Sequence, residues 1–394
     1  MAAFISACMA SAAVAQPGIR AIGTLQTGTL SQAYALSADG RTVVGYGDTS
    51  LGDRAVRWTA SGLQELGTLS GESASYAWGV NASGTIVVGS TSTTGHAFRW
   101  TSNGLEDLGV LPMGTWSAAN AISADGSTIV GAGDTTGGQR AFRRVGAGPM
   151  VSLGTLAGGA SSSASATNAD GSVVVGASGV TGGERAFRWT QADGMEDLGV
   201  LSGGTVSRAF GVNADGSVVV GFSRTSARER AFRWTRGEGM RDLGALPSDF
   251  PASLSIAYAV SADGSRVGGR ATTGFESHAF LWTEELGLVD LNTYFPSIGI
   301  DITGWQLQDV FGISADGMTM TGNGIYNGLF EGWIATLGSA CEADVNHDGV
   351  VNSQDFFDFL GAFFSLDPSA DFNRDGVINS QDFFEFLGRF FAGC

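Results

Sequence analysis

Short apolar runs, each bounded by glycine and small polar residues, recur along the first 338 residues of the chain. In the clearest copy, Asn168 to Leu201, an Ala-Asp-Gly turn is followed by Val173-Val174-Val175 and then by an Ala-Phe-Arg-Trp-Thr segment. β-Branched runs favour strands. Asp-Gly between apolar runs is typical of a hairpin turn, because glycine adopts positive φ at no steric cost. With a short run before the turn and a Leu-Gly-Val-Leu run at the end, the copy predicts four strands.

The turn recurs seven times along the chain, once as the variant Ala-Ser-Gly. Its copies are Ala38-Asp39-Gly40, Ala82-Ser83-Gly84, Ala124-Asp125-Gly126, Ala169-Asp170-Gly171, Ala214-Asp215-Gly216, Ala262-Asp263-Gly264 and Ala315-Asp316-Gly317. A period in the forties is typical of propeller blades or helical-pair solenoids, but 61 glycines are too many for long helices. The sequence therefore predicts an all-β fold, a seven-bladed β-propeller with four short antiparallel strands per blade.

The repeats are out of phase with the ends of the repeated region. Residues Ala21 to Leu25 match a fourth strand without the first three, and the last copy ends at Trp333-Ile334-Ala335 without a fourth strand. We therefore expect the N-terminal strand to complete the last blade, which closes the ring and leaves no open sheet edge. An open solenoid is the alternative.

The third and fourth strands of most copies carry opposite charges. An arginine in the third strand is followed by an acidic residue eight or nine positions later, as in Arg99 and Asp107 or Arg188 and Asp197. These residues are predicted to form cross-strand ion pairs. Phe98 and Trp100, which flank Arg99, share the opposite face of their strand and are predicted to pack between blades.

The tripeptides His96-Ala97-Phe98 and His278-Ala279-Phe280, with Arg-Ala-Phe beginning at Arg140, Arg185 and Arg230, resemble the HAF-type extracellular repeats. The resemblance covers about residues 19–338, and it implies export and a β-propeller-like fold but no particular activity. The first and last copies depart from it, with Arg54-Ala55-Val56 and Glu331-Gly332-Trp333. Because arginine replaces the histidine in several copies, we interpret that histidine as structural.

The N-terminus has the features of an export signal. Residues Phe4 to Ala15 are small and apolar, and Ala13-Val14-Ala15 fits a signal-peptidase site. We predict a signal peptide over residues 1–15 and a secreted, extracellular protein, although no basic residue precedes the apolar run. A disordered or buried N-terminus is the alternative. No apolar run reaches the ~18 residues of a membrane-spanning helix, so no span is predicted.

Charge excludes several classes of function. A formal net charge of -17 argues against nucleic-acid binding, which needs a basic surface. All 21 basic residues are arginines, and the absence of lysine excludes P-loop, Schiff-base and kinase chemistry. His96, His278 and His347 are too scattered to indicate a zinc site built from histidines.

Loops that depart from the repeat are where a ligand site is expected. The connections between the fourth and first strands lie on the same face of a propeller as those between the second and third. Their candidate ligand-contacting residues are Trp116, Phe250, Tyr294, Phe295 and Trp305. Such aromatic residues beside small polar ones are typical of a site for a glycan or a peptide. The alternative is that these loops only cap the ring.

An acidic motif occurs twice in the last 54 residues, which contain ten acidic residues and two arginines. Oxygen ligands at loop positions 1, 3, 5, 9 and 12, a backbone carbonyl at 7 and glycine at 6 form a calcium loop. The spacing predicts two Ca²⁺ ions. Their ligands are predicted to be Asp344, Asn346, Asp348, Val350, Asn352 and Asp355, and Asp371, Asn373, Asp375, Val377, Asn379 and Asp382.

The tandem loops, each ending in aspartate and followed by a predicted helix (355–364 and 382–391), resemble a type I dockerin over residues 341–394. The resemblance implies a calcium-dependent partner, a cohesin-like or other surface-anchor protein, contacted by Ser353 and Gln354 and by Ser380 and Gln381. Cys341 and Cys394 bracket the module, which is unusual for this type. In an exported chain such a pair predicts a disulfide.

The chain is thus predicted to have a propeller domain at 19–338 and a calcium module at 341–394. The function that these features favour is a secreted, non-enzymatic binding or scaffold protein anchored through its C-terminal module, without catalytic or cofactor-binding residues in the ring. A polysaccharide-cleaving enzyme is the alternative, because dockerin-like modules accompany such enzymes. Its candidate carboxylates are Asp249, Asp301 and Asp309. A purely structural surface protein is the second alternative.

Overall fold

The computed structural model describes residues 17–93, 95–225, 228–247, 253–337, 343, 345, 351–373 and 376–392. The chain divides into two compact units. One comprises Ile19–Ser297 and Asp301–Ala335 and is almost entirely β-structure, and the other includes the chain that follows Ala335. Among the described residues, no helix is long and apolar enough to cross a membrane.

Four of the sheets in the larger unit contain four antiparallel strands in sequence order. The first two are β2 (Ser31–Leu36), β3 (Val43–Gly47), β4 (Arg54–Thr59) and β5 (Gly62–Glu65), and β6 (Ser75–Val80), β7 (Val87–Thr91), β8 (Ala97–Thr101) and β9 (Gly104–Asp107). The other two are β10 (Ser117–Ile122), β11 (Thr128–Thr135), β12 (Gly138–Val145) and β13 (Val151–Ser152), and β22 (Ser255–Val260), β23 (Val267–Thr273), β24 (Glu276–Thr283) and β25 (Gly287–Asp290).

Two further sheets differ from this plan. Eight strands form one sheet: β14 (Ser162–Thr167), β15 (Val173–Val180), β16 (Gly183–Thr190), β17 (Gly194–Asp197), β18 (Val206–Val212), β19 (Val218–Arg224), β20 (Glu229–Thr235) and β21 (Gly239–Asp242). Five strands form the other: β1 (Gly18–Ala21), β26 (Trp305–Leu307), β27 (Gly312–Ile313), β28 (Thr319–Tyr326) and β29 (Leu329–Thr336). Helix α1 (Leu291–Ser297) lies in the connection between β25 and β26.

The prediction of seven blades is wrong for this structure. Among the described residues, the strands pair as five separate blades and one continuous eight-stranded sheet. The eight-stranded sheet arises because β16 and β18 extend far enough to form a parallel bridge between Glu184 and Val206. The Arg208 Nε–Glu184 Oε2 bond of 2.5 Å and the Arg185 Nη1 bond of 2.5 Å to the Thr205 carbonyl hold the same junction. The four strands of each repeat can be predicted from its sequence. The joining of two repeats into one sheet cannot, because it depends on the path of the loop between them.

The N-terminal strand closes the ring. Strand β1 pairs with β29, and the Ile22 amide donates a 3.0 Å hydrogen bond to the Gly332 carbonyl. The first strands of successive repeats also contact one another in order, from β2 through β6, β10, β14, β18 and β22 to β27 and back to β2. These strands therefore form the inner wall of a closed ring around a channel.

At one end of the channel, the Ala-Asp-Gly turns are joined by backbone hydrogen bonds. The amide of Ala82 donates to the Ala124 carbonyl at 3.0 Å, and this pattern continues from turn to turn until the amide of Ala315 donates to the Ala38 carbonyl at 2.9 Å. The glycine of each turn has positive φ, as at Gly171 (71°), which is why glycine recurs there. The linked turns form a hydrogen-bonded ring at this end of the channel, hereafter the turn end.

The ion pairs predicted between third and fourth strands are wrong by one residue. In β8 and β9, Arg99 lies opposite Glu106 and Phe98 lies opposite Asp107, because only two residues separate the paired Thr101 and Gly104. The acidic residue contacts the first residue of the tripeptide instead. The observed pairs are Arg54 with Glu65 (3.3 Å), His96 with Asp107 (2.8 Å), Arg185 with Asp197 (3.9 Å) and His278 with Asp290 (2.8 Å).

The arginines of the third strands connect neighbouring repeats. Four of them donate from Nε to the carbonyl of the glycine in the next repeat's Asp-Gly or Ser-Gly turn. The bonds are Arg57 to Gly84 (2.8 Å), Arg143 to Gly171 (3.1 Å), Arg188 to Gly216 (3.1 Å) and Arg233 to Gly264 (3.3 Å). The phenylalanines beside them, such as Phe98 and Phe187, are fully buried in the cores between repeats, as predicted.

The smaller unit is helical. Its helices are α2 (Ser353–Ser365) and α3 (Ser380–Ala392), with a short 3₁₀ turn at Pro368–Ala370 between them. Phe359 and Phe386, at equivalent places in the two helices, stack with ring centroids 4.0 Å apart and are fully buried. Ala343 and Ala370 complete this small core.

Candidate functional site

The inner strands present two sets of side chains to the channel. Positions are counted from the serine at or next to the start of each copy of the first strand, or from Gln308 in the last copy. The alanine or valine at the third position is fully buried, whereas the second and fourth positions are at least partly exposed except for Asp309. The fourth positions are Tyr34, Trp78, Asn120, Ser165, Phe210, Tyr258 and Phe311, of which Phe311 immediately precedes β27. The second positions, nearer the loops, are Gln32, Tyr76, Ala118, Ser163, Arg208, Ile256 and Asp309.

Five of the fourth positions are aromatic and touch in sequence. Trp78 contacts Tyr34 at 4.8 Å between ring centroids, Tyr34 contacts Phe311 at 5.1 Å, and Phe311 contacts Tyr258 at 4.7 Å. Phe210 follows, 5.5 Å from Tyr258. These five side chains, hereafter the aromatic arc, cover most of the channel wall at this level. The arc is open only where Asn120 and Ser165 stand.

A second layer of aromatic residues lies between the arc and the loops. Tyr46 and Tyr76 meet edge to face at 5.0 Å, and they stack on Tyr34 (5.9 Å) and Trp78 (5.8 Å), respectively. The Tyr76 hydroxyl donates to Asp53 Oδ2 at 3.0 Å. This layer therefore has apolar faces and polar edges.

The opposite side of the same level is lined by small residues. Ala118 pairs with Ala132 across β10 and β11, and Ser163 pairs with Ala177 across β14 and β15. The channel end nearest the loops is thus asymmetric, with aromatic and charged side chains on one side and small ones on the other. We call this end, lined by the second positions and their cross-strand partners, the channel mouth.

A buried ion pair lies at the channel mouth beside the aromatic arc. Arg270 donates from Nε to Asp309 Oδ1 and from Nη2 to Asp309 Oδ2 at 2.8 Å. The Asp309 side chain is 1% exposed and that of Arg270 is 36% exposed. Burial raises the pKa of Asp309, which the bond to Arg270 opposes, and the same bond raises the pKa of Arg270. We take the pair as charged, because Arg270 contacts both oxygens of the Asp309 carboxylate and so compensates its burial.

The tyrosines beside this pair keep their protons at neutral pH. Burial raises the pKa of Tyr258 to about 12. Burial, followed by the neighbouring Tyr46, also raises the pKa of Tyr34. Both hydroxyl groups are therefore neutral hydrogen-bond donors, and that of Tyr34 donates to Gln32 Oε1.

The aspartates at the turn end of the channel have a local role. Asp170 Oδ1 accepts a 2.9 Å hydrogen bond from the Ser172 amide within its own turn, and Asp215 accepts the same bond from Ser217. Hydrogen bonds from these two serines lower the pKa of both aspartates. These carboxylates shape the turns, which accounts for their recurrence.

The residues predicted to contact a ligand are dispersed. Phe295 of α1 is fully buried and packs edge-on against Trp333, so it belongs to the core. Trp305 stacks on Tyr326 at 4.6 Å, and Trp116 and Tyr294 are partly exposed on other connections. Phe250 lies outside the described residues, as does Asp249.

The two other carboxylates considered for catalysis are held by their own neighbours. Asp301 Oδ1 accepts from both the amide (2.8 Å) and the hydroxyl (2.6 Å) of Thr303, and Asp309 is bound by Arg270. Each therefore has a local structural role.

A cavity of about 380 Å³ lies at the outer part of the ring, away from the channel. It is lined by Val145, Pro149, Val151, Trp189 and Arg143, among others. The guanidinium of Arg143 is bound to the Gly171 carbonyl and lies 5.9 Å from the Trp189 ring. This mainly apolar cavity offers fewer polar partners than the channel mouth.

The sequence analysis missed the channel mouth. Its signal is present in the sequence, because the fourth position of the first strand varies among tyrosine, tryptophan, phenylalanine, asparagine and serine within an otherwise uniform repeat. Adjacent rings become a continuous surface only when the strands are arranged around one channel.

In the C-terminal unit, the described part of the second loop has features of an ion-binding loop. Gly376, at loop position 6, has φ of 86° and donates its amide to Asp371 Oδ2 at 2.8 Å. Asp382, at position 12, is fully buried and accepts from the amides of Asn373 (3.1 Å) and Asn379 (2.9 Å). Desolvation would raise the pKa of Asp382, but these backbone donors outweigh it and lower the pKa.

The first loop repeats this arrangement at its end. Asp355 is fully buried and accepts from the Asn352 amide at 2.9 Å, while Asn352 caps α2. The other predicted ligands in described positions are Asn373, Val377 and Asn379. Asp344, Asn346, Asp348, Val350 and Asp375 lie outside the described residues, as do Cys341 and Cys394. Within the described part of the chain, no three His, Cys, Asp or Glu residues gather as a metal-binding group.

The predicted partner-contacting residues occupy equivalent exposed places. Ser353 and Gln354 begin α2, and Ser380 and Gln381 begin α3. Gln354 donates to Asp358 at 2.9 Å and Gln381 donates to Glu385 at 3.4 Å. The two helix starts therefore present nearly the same surface.

Neither protein families nor curated proteins give a match to this sequence. Solved structures do. An oligogalacturonate lyase in complex with manganese is 12% identical, with a TM-score of 0.55 over 83% of this chain and 96% of that one. The oligogalacturonate lyase of Vibrio parahaemolyticus is 9% identical, with a TM-score of 0.52 over 82% and 97%. TolB from Acinetobacter baumannii is 12% identical, with a TM-score of 0.46 over 64% of this chain and 63%, less than two thirds, of that chain. At such low identity, the likeness to the two lyases concerns the fold alone. Together with the ring of sheets, it shows that this chain is a β-propeller protein.

Proposed function

We propose that this protein is a secreted, non-enzymatic binding protein that holds an extracellular partner on its ring and is anchored through a calcium-dependent, dockerin-like module. The observation that supports binding is the asymmetric channel mouth. It combines the layered rings of Tyr46 and Tyr76 with the buried Arg270–Asp309 pair. Partly exposed aromatic rings with a few fixed polar groups are typical of ligand sites.

Binding without cleavage is favoured by the state of the carboxylates. Hydrolysis of a glycosidic bond needs two carboxyl groups facing one another across a substrate. Asp309 is engaged on both oxygens by Arg270, and Asp301 is engaged by Thr303. A carboxylate fixed in this way positions other groups better than it transfers protons.

Calcium fits the residues of the C-terminal unit that can be placed. Asp371, Asn373, Asn379 and Asp382 would supply side-chain oxygens, and Val377 would supply a carbonyl, in a loop whose glycine already has positive φ. Calcium, when bound, would neutralise the carboxylates of each loop and tie the loop to its helix. The buried Asp355 and Asp382 would hold the loop ends in place.

The anchoring proposal is tested on the full chain by calorimetric titration with CaCl₂ after chelation. We expect about two ions per chain, a gain in helical circular dichroism, and one ion in an Asp371→Ala variant. Asp358→Ala, which alters a partly exposed acidic residue of α2 outside the loops, is the control and should keep both sites. No uptake by the unaltered chain would reject the calcium module.

The binding proposal is tested by retention of the full chain on immobilised polysaccharides and on immobilised peptide fragments of extracellular proteins. Released reducing sugar is measured in the same samples. We expect retention without release. Release of sugar would identify an enzyme instead, and absence of retention on every matrix would favour a purely structural role.

A further inference from the structure

We infer that the channel mouth binds a neutral saccharide, an inference that rests on the proposed binding function and narrows it. Four aromatic side chains on one side of the mouth form two layers, Tyr46 and Tyr76 over Tyr34 and Trp78. The C–H faces of a pyranose ring pack on aromatic faces while its hydroxyls need donors and acceptors at the edge. The aromatic layers supply the first requirement.

Arg270 meets the second requirement, because the donors on the rings themselves are used within the protein. Trp78 Nε1 donates to Ser90 Oγ at 2.9 Å, and the Tyr34 hydroxyl donates to Gln32 Oε1. The guanidinium of Arg270 uses Nε and one Nη2 hydrogen on Asp309, which fixes its plane. Five N–H groups in a rigid fork leave further donors on a side chain that is 36% exposed. Vicinal sugar hydroxyls can accept these donors, and Asp309 acts only by positioning Arg270.

The charge of the mouth favours a neutral ligand. Arg270 is balanced by Asp309, and Arg208 is balanced by Glu184 at 2.5 Å. Asp53, which accepts from Tyr76, adds a negative charge. These groups together therefore carry no excess of positive charge. The whole chain carries a formal net charge of -17, which repels an anionic polymer at long range. A uronate chain would therefore meet repulsion without a free cation to offset it.

The side of the mouth opposite the aromatic layers carries smaller side chains, because the repeat varies there. Where one side has Tyr76 and Gln32 at the second position, the other side has Ala118 and Ser163. The fourth positions beneath these small residues are Asn120 and Ser165, which add amide and hydroxyl groups in place of a ring. The Asn120 amide is held by the Ala164 carbonyl at 2.7 Å, so the floor of this side is fixed.

The inference is tested by native affinity electrophoresis of the full chain. The gels contain one soluble neutral polysaccharide each (xylan, glucomannan, mixed-linkage β-glucan, galactomannan or starch) or an acidic one (polygalacturonate or alginate). We expect retardation in at least one neutral gel, and at least a tenfold weaker affinity in Tyr46→Ala and in Arg270→Gln. Tyr46→Phe and Arg270→Lys, which preserve packing, should show intermediate affinity. Circular dichroism and melting temperature verify that each variant is folded.

Trp116→Ala and Trp305→Ala are matched controls, because they remove aromatic rings outside the mouth. Their affinity should equal that of the unaltered chain. Retardation only in acidic gels, or retardation lost in Trp305→Ala but kept in Tyr46→Ala, would overturn the saccharide site at the mouth while leaving the proposed binding function intact. Retention on immobilised peptides but on no polysaccharide would also overturn the saccharide site and leave the proposed binding function intact. No retardation in any neutral gel also overturns the inference.

Discussion

A single buried serine joins neighbouring repeats through two hydrogen bonds at five of the seven junctions of the described ring. Ser117 is fully buried, and its hydroxyl accepts from the Ala97 amide at 2.9 Å and donates to the Gly109 carbonyl at 2.6 Å. Ser75, Ser162, Ser207 and Ser255 make the same two bonds at four other junctions. The first strand of one repeat is thereby fixed to the third strand of the preceding one.

Replacing this serine should destabilise the ring. In Ser117→Ala, the Ala97 amide and the Gly109 carbonyl lose their partner in a buried place, which costs about 1–3 kcal/mol. Urea unfolding should show a lower midpoint with an unchanged slope. Ser102→Ala, at an exposed turn position, is the control and should unfold like the original protein. Equal midpoints for both variants would contradict the role assigned to Ser117.

Asp134 makes one loop of the ring sensitive to acid. Asp134 Oδ1 accepts hydrogen bonds from the amides of Trp116 (2.8 Å) and Thr115 (2.6 Å). These backbone bonds, chiefly that from Trp116, lower the pKa of Asp134. A lowered pKa means that its stabilisation is complete above the ordinary aspartate pKa of about 3.9 and is lost as pH falls through the folded value. The melting temperature of Asp134→Asn should therefore lie below that of the original protein at pH 6 and converge with it near pH 2. A constant difference between the two would contradict this account.

At the scale of the element, the turn decides which side chains meet. Spacing along the sequence suggested that Arg99 faces Asp107, but the two-residue turn between Thr101 and Gly104 places Glu106 there. A shift of one residue moves every side chain of a strand to the other face. The four strands of each repeat could be predicted from β-branched runs and turn residues. Their register could not, because it depends on where pairing ends at the turn.

The corrected register predicts that Asp107→Ala lowers the free energy of unfolding only slightly. The Asp107 carboxylate contacts His96 at 2.8 Å and accepts from the Gly109 amide at 2.8 Å. Its side chain is 47% exposed, so solvent screens both contacts. We expect a loss below about 1 kcal/mol, and a coupling energy of similar size in a double-mutant cycle with His96→Gln. A loss of several kcal/mol on urea unfolding would indicate the buried ion pair first expected from the sequence.

At the scale of the whole molecule, the sequence predicts closure better than it predicts the sheets. A fourth strand at the N-terminus and a missing one at the end were sufficient to pair β1 with β29. The eight-stranded sheet was not predictable, because the Glu184–Val206 bridge depends on the path of a loop in space. The channel mouth was missed for a related reason: Tyr34 and Phe311 are far apart in sequence and adjacent only in the closed ring.

Closure should be separable from the rest of the fold. Ile22 is 3% exposed and packs with Ile334 and Trp58, and the Gly332 amide donates to Ser31 Oγ at 3.2 Å across the same junction. Removing residues 17–22 would strip β1 from β29 and expose an unpaired edge. We expect a lower melting temperature and association that increases with concentration, measured by scanning calorimetry and light scattering.

A synthetic peptide of residues 17–26 should restore the monomer and much of the melting temperature, because the vacant edge of β29 offers the same backbone partners. The same peptide with Ile22→Asp is the matched control and should restore neither, since a buried carboxylate would replace an apolar contact. If the shortened protein melted like the original one without any peptide, the ring would owe its stability to contacts between inner strands, and β1 would be an accessory edge.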